Sequence, residues 1–109
     1  MTNRTTALFA ADDVGRDVAE FFGQENEELA CLVLDADEPK GQRDEIQKRA
    51  DLDNKTPVYL SSEVTIEHVQ DELRSLGIDI GILAWWPYII SEELINVANE
   101  GFLNFHPSY

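Results

Sequence analysis

Five short apolar runs, at residues 6–11, 29–35, 57–60, 78–85 and 102–105, recur along the chain with amphipathic or polar stretches between them. No other feature limits the possible folds as strongly. Each run has the length of a strand, and the second and fourth are apolar on both faces, as parallel strands covered by helices on two sides must be. Between the runs, Val14, Val18, Phe21 and Phe22 recur at helical spacing, as do Ile66, Val69, Leu73 and Leu76. Residues 42–50 offer a thinner apolar face, Ile46 and Ala50. Ser91 is placed to cap a last helix with Leu94, Ile95 and Ala98 facing inward, and Glu92 and Glu93 fall in its first turn, where the helix dipole favours acids. Segments 35–41 and 51–56 are rich in turn formers and read as loops.

The order β-α-β-α-β-α-β-α-β predicts an α/β fold, a Rossmann-like, doubly wound parallel sheet of about five strands flanked by helices. With 109 residues, 43% of them apolar, the chain reads as a single domain over 1–109 that buries its own core without staples. One cysteine excludes an internal disulfide, and Cys31 sits among Ala30, Leu32 and Val33 as a small buried hydrophobe. His68 lies off the apolar stripe with no cysteine or second histidine nearby, which argues against a metal ligand. No run approaches a membrane span, and the polar start makes a poor signal peptide, so the expected location is cytoplasmic.

Charge narrows the partners. Against 22 acidic residues stand eight basic ones, a formal net charge of −14, and a surface of that sign opposes nucleic acids and anionic membranes alike. The acids are scattered rather than blocked, and only three lysines accompany them. That pattern fits a protein adapted to high salt, where screening removes the self-repulsion.

In a doubly wound sheet, ligands meet the carboxyl ends of the strands, which directs attention to residues 11–15, 35–37, 85–90 and 104–109. The first of these loops, Ala11-Asp12-Asp13-Val14-Gly15, lacks the glycines that let a backbone approach a pyrophosphate, and its two carboxylates would repel one. Asp12 or Asp13 is expected to cap the helix beginning near Val14. The alternative is a divalent-cation site, because paired acids after a first strand resemble those of phospho-acceptor receiver domains. The resemblance breaks where a receiver needs an Asp ending its third strand and a Lys ending its fifth. Here Ser61 and Ser62 follow the third run, and Asn104, Phe105 and His106 end the fifth.

The last run carries the most chemistry. With a period of two, Phe102, Asn104 and His106 share one face, and Leu103 and Phe105 the other. An amide and an imidazole so placed can act on one carbonyl, the amide donating to its oxygen and the imidazole moving a proton. Two hydrogen-bonding side chains at a strand end also serve structural purposes, satisfied by neighbouring backbone. Pro107 restricts the backbone at His106.

The segment Asn104-Phe105-His106-Pro107-Ser108, preceded by Gly81-Ile82-Leu83-Ala84-Trp85-Trp86-Pro87 and the helix at 91–98, resembles the folate-dependent formyltransferase family. Residues 8–22 are also similar to the first strand and helix of sugar N-formyltransferases. The resemblance implies formyl transfer from 10-formyltetrahydrofolate to an amine. It assigns Asn104 to polarising the formyl carbonyl and His106 to supporting proton movement. The folate ring is implied to lie against Trp86, Pro87, Tyr88, Ile89 and Ile90, an aromatic and apolar surface with free backbone groups. Core packing is the competing reading for Trp85 and Trp86.

The family's third catalytic residue, an Asp beyond a Leu-Pro loop, has no counterpart before Tyr109, so the chain is expected to be the N-terminal part of a formyltransferase catalytic domain and weak or inactive alone. A non-catalytic folate- or partner-binding module is the second class of function. An amino sugar on a nucleotide carrier is the expected acceptor. Initiator tRNA is disfavoured by the acidic surface, and glycinamide ribonucleotide by the acidic first loop.

Overall fold

The computed structural model describes residues 4–106. Its sheet is parallel throughout, with strand order β3-β2-β1-β4-β5. The strands are β1 (Thr6–Ala10), β2 (Leu29–Leu34), β3 (Val58–Leu60), β4 (Ile80–Ala84) and β5 (Phe102–Phe105), and the helices are α1 (Asp12–Gln24), α2 (Lys40–Ala50), α3 (Glu67–Ser75) and α4 (Glu92–Ile95). The five apolar runs and four intervening helices thus fall where the sequence pattern predicts, giving the Rossmann-like α/β class. Run 78–85 shortens at both ends. Asp79, just before the strand, and Ile80, its first residue, both donate to the Thr5 carbonyl, and Trp85 bends out of it.

β1 lies in the middle and every residue in it is buried, because β2 and β4 flank it and helices cover both faces. On one face Leu8, Leu32 and Ile46 join Ala19, Phe22 and Ala50 under α1 and α2. On the other, Phe9, Val33, Leu73 and Ile78 join Val69 and Leu94 under α3 and α4. Two glycines set how closely these layers approach. A Cβ on Gly23 would come within 2.3 Å of the Arg49 carbonyl on α2, and one on Gly81 within 2.2 Å of the Phe102 ring. Their bare backbones admit the α1–α2 crossing and the packing of β5 on β4.

The strand order decides one alternative. Receiver domains share the flavodoxin-like order 2-1-3-4-5, whereas this chain places β3 outside β2 and starts its second half at β4. The receiver reading is therefore corrected. Asp13 faces Arg16 at 3.4 Å, and among the described residues no group of three or more His, Cys, Asp or Glu is placed to hold a metal. Among the same residues, no helix is long and apolar enough to cross a membrane.

Candidate active site

Strand order reverses between β1 and β4, so the crevice opens over Ala11 on one side and Trp85 on the other. The two ends are tied: Ala11 N–H donates to the Ala84 carbonyl at 3.1 Å, and Trp85 N–H to the Phe105 carbonyl at 3.2 Å. Trp85 itself has φ of 55°, left-handed backbone that a bulky aromatic rarely adopts. Strain of this kind persists only where surroundings over-determine it, and it gathers at functional sites.

The start of α1 differs from expectation. Its N-cap is Ala11, and neither Asp12 nor Asp13 fills that position. Instead the Glu38 carboxylate, from the β2–α2 loop, accepts the Asp12 N–H at 2.8 Å, while the Asp12 carboxylate accepts the Asp13 N–H at 2.8 Å. A helix start needs acceptors for its free amides, and here a residue 26 positions away supplies one. Such a long-range cap leaves no local sequence signal. Loss of surrounding water raises the Glu38 pKa, the Asp12 N–H opposes this, and the nearby charges of Asp35 and Asp12 push the same way as burial. One of its oxygens, Oε1, is buried without a partner.

On β5, Asn104 lies in register with Leu83 and shares the α3/α4 face with Phe102, whose ring meets Phe9 edge-on at 5.3 Å. Asn104 and His106 are both exposed, and the imidazole lies 5.2 Å from the Trp85 ring, centre to centre. Asn104 lies within β5 and His106 just past its carboxyl end. Pro107, Ser108 and Tyr109 lie outside the described residues.

The loop after β4 divides. Trp86 is only 5% exposed and packs edge-on against Phe9 at 5.4 Å, so its indole belongs to the core, as the competing reading has it. Tyr88 places its hydroxyl between the carboxylates of Asp35 and Asp37, 2.8 Å from the latter, and those two acceptors raise its pKa. Ile89 is fully exposed, Pro87 is exposed, and Ile90 rests partly buried on the core. A cleft of about 340 Å³ is lined by Trp86, Tyr88, Ile89 and Ile90 together with Asp37 and Ser61. The structure therefore gathers the loop side chains with the ends of β2 and β3, and His106 with Trp85; Asn104 and His106 do not line that cleft. The roles of Glu38 and Asp35 escaped sequence reasoning because each depends on a partner distant in the chain.

Comparison with known proteins supplies the class of chemistry. The model of the family described as formyl transferase matches residues 14–109, leaving β1 and Asp12 outside the match. A methionyl-tRNA formyltransferase of Marinobacter nauticus is 36% identical over 61 residues, covering 56% of this chain and 20% of that protein. One from Clostridioides difficile is 26% identical over 88 residues, covering 77% and 28%. Another, from Wolbachia pipientis subsp. Culex pipiens, is 25% identical over 89 residues, covering 74% and 28%. The chain spans between 20% and 28% of the length of these curated relatives. Its parallel sheet, its strand-end amide and imidazole, and a family match reaching from α1 through the last strand agree: the chain belongs to the formyl transferase family.

Proposed function

We propose that this chain forms the N-terminal part of a catalytic domain that transfers a formyl group from 10-formyltetrahydrofolate to an amine. The observation that carries the reading is the joint exposure of Asn104 and His106 at the carboxyl end of β5, in a chain of this family. The Asn104 amide donates to the formyl oxygen as negative charge develops on it. As the amine nitrogen bonds the formyl carbon and the bond from that carbon to the folate nitrogen breaks, His106 accepts the proton the amine loses and returns it to the departing nitrogen, and the Trp85 ring limits where its imidazole can swing. The folate supplies an activated formyl group. The residues present fit its ring system: exposed Pro87 and Ile89, half-buried Ile90 and the adjoining cleft offer apolar surface, and loop backbone is available to a ring edge. Trp86 supports that surface from beneath.

For the acceptor, the reading is an amino group on a small molecule such as a nucleotide-linked amino sugar, whose few negative charges meet less repulsion from the net charge of −14 than a polyanion does. The relatives, methionyl-tRNA formyltransferases, favour a second acceptor, methionyl-tRNA. A polyanion docking on this surface meets repulsion instead of the counterion release that drives such binding, so an RNA acceptor requires basic surface contributed by residues outside this chain. Supply of 10-formyltetrahydrofolate to the intact protein with an amino-sugar nucleotide, or with methionyl-tRNA, separates the two by which product carries the formyl group. Donor binding without turnover on any amine returns the non-catalytic module.

A further inference from the structure

We propose that Tyr88 is a positioning residue: its hydroxyl, held by Asp35 and Asp37, latches the loop after β4 onto the loop after β2 and so sets the shape of the formyl-donor site. This inference rests on the donor reading of that loop. Pro87 and Ile89, on either side of Tyr88, are exposed and give the loop little burial of its own. Tyr88 is held at both ends instead. Its ring meets the buried Trp86 edge-on at 5.5 Å, and its hydroxyl reaches two carboxylates more than 50 residues away in sequence. A phenol has one proton to donate, so the two carboxylates compete for it and the hydroxyl stays between them.

The anchor on the other side is itself fixed. Asp35 is only 7% exposed and its carboxylate accepts the Asp37 N–H at 2.9 Å, while Ser61 Oγ accepts the Ala36 N–H at 2.9 Å. The ends of β3, β2 and β4 are thereby linked in series around the 340 Å³ cleft. Charge-assisted bonds of this kind are among the stronger ones a side chain makes. Tyr88 thus acts on the donor through loop shape.

The test compares the intact protein with Tyr88→Phe, Asp37→Ala, Asp37→Asn and the Tyr88→Phe/Asp37→Ala double variant. Asp37 is exposed, so its variants spare the buried Asp35. Amide exchange at Tyr88, Ile89 and Ile90 without folate should rise by about tenfold in Tyr88→Phe and in Asp37→Ala, with no further rise in the double variant. The Kd for 10-formyltetrahydrofolate should weaken by a similar factor, and Asp37→Asn, which keeps an acceptor oxygen, should recover most of both. Unchanged exchange in Tyr88→Phe overturns the latch. Weakened donor binding in Tyr88→Phe with Asp37→Ala normal in both readouts means that Tyr88 touches the donor itself, and overturns the positioning role. Faster exchange in a protein whose parent form binds no formyl donor upholds the tie and overturns the donor reading.

Discussion

β1 and β5 belong to one sheet and were built by opposite demands. Every residue of β1 is buried, with Phe9 and Leu8 fully enclosed on opposite faces. Among the described residues β5 pairs with β4 alone, and Leu103, Asn104 and Phe105 are exposed, Leu103 at 59% and Phe105 at 51%. In the central strand, burial chooses each side chain and leaves none for chemistry. In β5, Phe102 packs against the core, and Asn104 and, just past the strand, His106 are exposed, which is what the proposed function needs of them.

The sharpest way to break this contrast is to invert it. Phe9→Ala removes a ring that meets both Trp86 and Phe102, and should cost about 3–5 kcal/mol in denaturant unfolding. Asn104→Ala or His106→Ala in the intact protein should lower formyl transfer by about 10²-fold or more while moving stability by less than about 0.5 kcal/mol. Near-normal turnover in either variant removes that residue from the mechanism. The smallest expected effect lies at the other rim. A carboxyl whose folded pKa is raised keeps its proton to higher pH in the folded protein than in the unfolded chain. Ionising Glu38 as pH rises above ~4.3 therefore costs stability. Glu38→Gln, which retains an acceptor for the Asp12 N–H, should raise the unfolding midpoint modestly at pH 7 and leave it unchanged at pH 3, where the native residue is already neutral.

The same contrast explains what was legible in the sequence. Strands and helices were readable because burial writes itself as apolar spacing: Leu73 and Val69 announce α3, and Ser91 caps α4 by accepting the Leu94 N–H at 3.2 Å, as its position implies. The period of two also put Phe102 and Asn104 on one face of β5, with Leu103 and Phe105 on the other. The fate of the loop after β4 was not readable. Nothing local to Trp86 says that it turns into the core while Ile89 stays in solvent, and nothing near Tyr88 points to Asp35. Those outcomes depend on which strand ends become neighbours, and a strand order such as β3-β2-β1-β4-β5 is a property of the whole chain.

The long-range cap on α1 has a consequence for ligand choice. In dinucleotide enzymes the first helix begins with amides turned toward a pyrophosphate, and the protein must leave that seat open. Here the first two such amides already hold carboxylates from the chain itself, Glu38 and Asp12. An incoming phosphate would have to evict both and settle among the acids that remain. The fold has kept the architecture of a nucleotide cradle, and its own carboxylates sit where such a phosphate would be held.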